Sequence, residues 1–352
     1  MGIAITNIYW TGDLGKAIQD LNMSVSICGK IGSAPRKAGS LLLGSYAYTL
    51  QGDLDTALSM TNKAMTIFSE INHERGISNS YAFLGIIHRY QGKLELARIN
   101  LEKSFDLFKQ MSRGGSNNFQ GFYLWSSFLL VHLVLVAQSL DDFSLAEKYL
   151  KQLEDSQVKS RSRFVNVRAR FAKAIVLIMS KRAVQKFQAQ QIFAEIIDEE
   201  VLDINLTVVA ILNLCELLIL EIKLVEDPEE LLREITVLSQ RFTEIAEKQQ
   251  SAPLEVTALI LKAKLSLIEG GFEETDTLLS KAKTIAAERK LGSLLSKVTA
   301  EHKAVQAEIN RWHDLIFRET SLHERIIKAR VTDWLNEAKK IQGAWVPPSA
   351  DL

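Results

Sequence analysis

One helix is written three times at a fixed interval near the start of this chain, and that recurrence restricts the fold more than any other feature. GDLGKAIQDLNMSVSI begins at Gly12, GDLDTALSMTNKAMTI at Gly52 and GKLELARINLEKSFDL at Gly92, so consecutive copies start forty residues apart. A unit of that length cannot bury its apolar face alone and must stack on its neighbours. Each copy opens on a glycine, where a turn between two helices needs positive φ or close backbone approach. Ala17, Ala57 and Ala97 follow five residues later, and Ser24, Ala64 and Ser104 seven after those, all small enough to let helices touch. Next, Ile27, Ile67 and Leu107 precede Cys28, Phe68 and Phe108, apolar residues that would fill the space between successive pairs. Ser45 and Gly85 mark the matching close contact on the helix before the turn in copies two and three.

The remainder also reads as helix. The five prolines stand at 35, 228, 253, 347 and 348, leaving a long proline-free interior rich in helix formers, with no Asn-Gly or Asp-Gly hairpin signal. The expected class is all-α, an α-solenoid of about seven stacked antiparallel helical hairpins. Residues 1–111 hold three regular forty-residue repeats. Residues 112–290 hold divergent repeats of the same solenoid, 291–342 are capping helices and 343–352 a flexible tail. The register breaks at SRGGSNNFQG, residues 112–121, and resumes at DDFSLAEKYLKQL with Ala146 in the alanine position. Fainter second helices follow at 187–197, 227–238 and 270–285. Asp227 and Pro228 mark a helix start, and Ser321 with Glu324 has capping-box spacing, so one helix ends near Arg318 and another begins at Leu322. Before Gly12 only MGIAITNIYWT is present, one to two turns short of a full first helix. Its apolar side, Ile3, Ile5, Ile8, Tyr9 and Trp10, is expected to be uncapped, which points to self-association through the N-terminal face or to the C-terminal part of a longer ancestral array.

A small residue in the first helix, a glycine, then two spaced small positions in the second is a pattern that resembles the tetratricopeptide repeat. The unit is longer than that family's usual repeat of about thirty-four residues. It is more similar to the roughly forty-residue variant found in sensor domains of bacterial regulators related to the maltose-regulon activator, and in prokaryotic scaffold proteins. The resemblance covers residues 9–111. It implies a superhelix whose first helices line a concave surface, acting as a protein-interaction scaffold or adaptor for a segment of another protein. It also implies an alternative, a ligand-sensing regulatory module.

Forty-two basic and forty-two acidic side chains cancel, so no global field of the kind used by nucleic-acid binders exists. No HExxH, GxSxG, phosphate-loop or Cys/His cluster occurs, and the reading is of no enzyme, no cofactor and no metal. Cys28 and Cys215 stand alone, and with no secretory signal at the start a reducing, cytoplasmic setting is expected. Phe122 to Leu140 carries no charged residue over nineteen positions, the length of a bilayer span. Its Ser126, Ser127, His132 and Gln138 and its place within the array assign it to a helix buried between neighbours.

Charge is uneven locally. Nine Lys or Arg and no acid lie between Lys159 and Lys186, whereas residues 195–234 hold twelve acids against Lys223 and Arg233. Two readings stand together: adjacent repeats of opposite sign neutralise each other, or the basic stretch offers an anion-binding groove to an acidic peptide tail, a nucleotide or a nucleic-acid phosphate. At about 100° per residue, Arg163, Arg170 and Lys173 share one side, and Arg161 and Arg168 point nearly opposite. With Tyr123 of the preceding first helix, Arg163, Arg170 and Lys173 are the candidate partner-binding residues, the neighbourhood being implied by the tetratricopeptide resemblance. Trp125, Leu129, His132 and Val136 fall on one stripe, which makes His132 a hydrogen-bonded core histidine.

Overall fold

The computed structural model describes residues 4, 7–113, 119–199, 203–222, 225, 228–289, 291–307, 309–318, 320–333, 335 and 339. The expected tail 343–352, most of the loop at 114–118 and Asp227 lie outside them. Among the described residues the secondary structure is entirely helical. A π-helical turn, Asn7–Thr11, precedes α1 (Leu14–Lys30), α2 (Ala34–Gln51), α3 (Leu54–Glu70), α4 (Glu74–Tyr90), α5 (Leu94–Arg113) and α6 (Phe119–Ser139). There follow α7 (Phe143–Lys159), α8 (Arg163–Ile178), α9 (Ala183–Asp198), α10 (Ile204–Ile222) and α11 (Glu229–Lys248). Last come α12 (Ala252–Glu269), α13 (Phe272–Glu288), α14 (Gly292–Ala307), α15 (Ile309–Phe317) and α16 (Leu322–Ala329). The chain is thus an all-α helical-repeat solenoid, divided into a first unit up to Ala210 and a second from Ile211 to Ile341, the division falling within α10.

In unit 1 the hairpins are α2–α3, α4–α5, α6–α7 and α8–α9. Their first helices also pack on one another in sequence, α2 on α4, α4 on α6 and α6 on α8, forming an inner layer. The repeat spacing has a direct physical cause. Gly12, Gly52 and Gly92 all adopt the left-handed backbone, with φ of 72°, 88° and 73°. Asp141 takes the same conformation at the next turn, with φ of 55°, and Asp142 caps α7 by accepting from the Leu145 N–H at 2.9 Å. Asp13 and Asp53 cap α1 and α3 in the same way.

Behind each turn the small residues make the contact. Ala17, Ala57, Ala97 and Ala146 are fully buried. The Thr61 hydroxyl donates to Ser45 Oγ at 2.7 Å across α2–α3, and Ser78 donates to the Ser104 carbonyl at 2.9 Å across α4–α5. A methyl on Gly85 would stand 2.6 Å from Leu101 Cγ and 3.0 Å from the Ala97 carbonyl, so this crossing tolerates no side chain. Cys28, Phe68 and Phe108 are buried between pairs, while Ile27 beside them is half exposed.

The N-terminal expectation needs correction. Ala4 and Ile8 are fully buried and the Tyr9 ring lies 5.8 Å from that of Tyr46 on α2. A single π turn suffices to fold Ile8 and Tyr9 onto the inner layer, so these two residues do not form an exposed apolar end; Ile3 and Ile5, and the side chain of Trp10, lie outside the described residues.

In unit 2, α11 packs on α12, α12 on α13 and α16, and α13 on α14. The α12–α13 hairpin repeats the design: Gly270 has φ of 89°, and Thr275, Ala282 and Ala286 occupy the small and filling positions. α11 starts one residue later than the Asp-Pro signal suggests, with Pro228 as its N-cap. Ser321 caps α16 by accepting from the Glu324 N–H, as the capping-box spacing requires. Among the described residues two helices are long and apolar enough to cross a membrane by length and composition, Gly121–Ser139 and Ile204–Ile222, and these stretches are 72% and 83% buried. Both free cysteines are buried.

Candidate functional site

The inner layer of unit 1 closes over a polar cluster. Helix α8 is buried over most of its circumference, and Arg168 lies on the side turned toward α6. Its Nη1 donates to the Leu124 carbonyl at 2.9 Å and to Ser127 Oγ at 3.2 Å. The guanidinium sits 5.4 Å from the centre of the Phe128 ring and 3.8 Å from the Asp203 carboxylate, which precedes α10. From the last turn of α4, Arg89 lies 4.9 Å from the centre of the Tyr90 ring. Tyr46 of α2, His132 of α6 and Asn205 at the start of α10 complete a cavity of about 20 Å³, the space of a single water molecule.

Rings carry the cluster outward. Tyr46 touches Phe83 at 5.6 Å, Phe83 touches Trp125 at 6.2 Å, and Trp125 leads through Phe128 to His132 at 4.7 Å. These helices therefore meet through interlocked side chains. Tyr9 reaches the same place: it bonds to Tyr46 and feels the charges of Asp203 and Arg168.

Burial governs ionisation here. It raises the pKa of Tyr9, Tyr46 and Tyr90, keeping all three protonated. It also raises Asp203, against the opposing pull of Arg168. His132 is driven well below the ordinary histidine range, first by burial and then by the positive charges of Arg89 and Arg168. It is a core histidine, as its stripe implied, but its Nδ1 is buried with no hydrogen-bond partner among the described residues.

The residues singled out from sequence lie elsewhere. Arg163 and Lys173 are exposed on α8, and Arg170 is half-buried beside them. Arg170 donates to Glu195 at 3.2 Å and Glu199 at 2.7 Å, both at the end of α9, so here the basic run does meet the acidic one. Tyr123 is half-buried on α6 with its ring 5.5 Å from Phe122. The stripe geometry is as expected, and its opposite side, with Arg168, faces the cavity. A signal for Arg89 was available: it stands one period after Thr49, a fully buried position, and a charge there breaks the pattern of the repeat.

Residues 38–110, covering most of α2 through α5, match the model of the tetratricopeptide repeat family. This stretch is tetratricopeptide-repeat-like. It supplies Tyr46, Arg89 and Tyr90 to the cavity, while the other lining residues come from hairpins beyond the matched stretch. A comparison with curated proteins gives no match. Helical repeats of this kind are typically non-catalytic and generally mediate contacts between proteins.

Unit 2 has its own opening, a cleft of about 620 Å³ whose walls include Leu232, Arg233, Glu269, Leu322, His323 and Arg325. Its size suits a small molecule or a short peptide.

Proposed function

We propose that this chain is a non-catalytic interaction scaffold or adaptor that holds an acidic segment of another protein in the cytoplasm, with neither nucleic acid nor membrane as its partner. One observation carries the reading: the stretch that matches the tetratricopeptide repeat, residues 38–110, forms the regular hairpins α2–α3 and α4–α5 of unit 1. Tyr123, Arg163, Arg170 and Lys173 are the docking residues of this proposal. Arg163 and Lys173 are exposed, and the carboxylates that hold Arg170 are themselves largely exposed, so an acidic segment competes with them at small cost. Self-association through the N-terminal end is a separate proposal, and it does not rest on Ile8 or Tyr9, which pack on the inner layer.

The test is a charge reversal. Proteins recovered by affinity purification of the full chain are measured for binding to wild type and to Arg163→Glu/Arg170→Glu/Lys173→Glu. Weaker binding with a flatter salt dependence is expected. A partner bound equally well by the triple variant removes these residues from the interface.

A second reading, the ligand-sensing module related to the forty-residue sensor domains, is favoured by the cleft of unit 2, whose volume of about 620 Å³ suits a small molecule. An effector that raises the melting temperature of the wild type, but not of Arg233→Gln, would place function there.

A further inference from the structure

The cleft of unit 2 carries charges of both signs, and three of them stand apart from any opposite charge. On one side α11 presents Arg233, one turn beyond Glu229, and on the other stand Glu269, at the end of α12, and Arg325 of α16. The Arg325 guanidinium is pinned by two backbone carbonyls, Nη1 donating to Ile268 at 2.6 Å and Nε to Thr320 at 3.1 Å. Both acceptors are neutral, so they orient the arginine without cancelling its charge. Among the described residues neither arginine touches a carboxylate, and Glu269 touches no cation.

Burial, and then the neighbouring charge of Glu274, hold Glu269 above the ordinary carboxylate range, with Arg325 opposing. A cation arriving beside Glu269 is therefore favoured. Ile222, Leu232 and Leu322 give the cleft a buried apolar lining. His323 lines it too, and its Nδ1, buried with no hydrogen-bond partner among the described residues, is one further polar atom for a guest. A guest suited to this lining has an apolar body and one charge of each sign. A purely anionic molecule would meet the carboxylates, and a purely cationic one the arginines.

We propose that the cleft binds a small zwitterion with an apolar side chain, an amino acid or dipeptide, its carboxylate on Arg233 and its ammonium on Glu269. The proposal rests on the ligand-sensing reading and names the class of its effector. Arg325, fixed by its two carbonyls, favours the ionised form of Glu269 and leaves the exposed Arg233 to turn a bidentate face to the carboxylate.

The probes are leucine and leucyl-leucine, each also in an N-acetylated form, which lacks the ammonium, and in a C-terminally amidated form, which lacks the carboxylate. Each is titrated into the full chain by calorimetry. At least one parent is expected to bind, the tighter of the two telling a free amino acid from a peptide. Each blocked form should bind about tenfold more weakly than its parent. Arg233→Gln should erase the difference between parent and amide, and Glu269→Gln the difference between parent and acetylated form. Both residues are exposed, so both variants should fold. Blocked forms that bind as tightly as their parents overturn the proposal, and so does an absence of binding by both parents. A molecule that is not a zwitterion, yet raises the melting temperature of the wild type and not of Arg233→Gln, would overturn it as well and leave the sensing reading intact.

Discussion

Both units bury cations in helix packing, and they handle the charge differently. In unit 2, Lys264 is 2% exposed, meets Glu301 directly and donates to the Ala329 carbonyl at the end of α16. Lys339 meets Glu216 in the same direct way. In unit 1, Arg89 and Arg168 share a cavity lined by a single described carboxylate that stands 3.8 Å from Arg168. A buried cation with its counter-ion in contact acts as a tie between helices. Arg168 is held by several contacts instead, the Leu124 carbonyl, Ser127 and the more distant Asp203.

The sharpest way to break the comparison is to cut a tie. Lys264→Met strands Glu301 and the Ala329 carbonyl, and should cost unit 2 about 3 kcal/mol, read as a lower denaturation midpoint. Adding Glu301→Leu should recover most of that loss, because the pair pays its own desolvation. In unit 1, Arg168 also donates to the Leu124 carbonyl and Ser127, so Asp203→Asn should lower the denaturation midpoint less than Lys264→Met does.

Titration sharpens the contrast. The Lys264 ammonium is pushed down to about 8 from 10.5, by burial above all, with Glu301 opposing. Below pH 8 the folded and unfolded chains both hold the proton, and the desolvation cost stands in full. Between 8 and 10.5 only the unfolded chain stays protonated, so unit 2 gains up to about 3 kcal/mol as pH rises. His132 has the opposite arm: it stays neutral when folded, so as pH drops below 6.5 the unfolded chain takes up a proton and unit 1 loses stability. Hydrogen exchange followed peptide by peptide across pH separates the two. The alkaline gain should vanish in Lys264→Met and the acid loss in His132→Phe.

Packing of the repeats gives the next effect. Gly76→Ala places a methyl 2.2 Å from the Phe68 ring and should cost about 1–3 kcal/mol, as should Ala57→Leu or Ala97→Leu. Unchanged melting in all three would mean that the small positions do not set the hairpin contact. The smallest effect is at the surface: Arg170→Gln should change stability by less than about 1 kcal/mol, its partners Glu195 and Glu199 being largely solvated.

The repeat and its turns were legible because they are local and periodic. A left-handed glycine, a capping aspartate and a small residue at a crossing each need a particular residue type wherever the unit recurs. Asp141 shows the limit of that reading, since an aspartate fills the glycine role once its neighbour caps the helix. The N-terminal turn shows another: its length argued for an uncapped end, yet Ile8 and Tyr9 bury against the inner layer through contacts with a helix more than thirty residues away.

The sequence by itself determined the helical class, the forty-residue period and the angular separation of Arg168 from Arg170 on one helix. Only the tertiary structure decided which of those directions is inward. Two residues apart on a helix means about 200° of rotation, and periodicity fixes that angle without fixing its origin. Arg168 is buried because α6 and the chain at Asp203 cover its side of α8. Arg170 keeps partial contact with water because the end of α9 offers carboxylates on the other. Which neighbour covers a face depends on how successive hairpins stack, and that is a property of the assembled array.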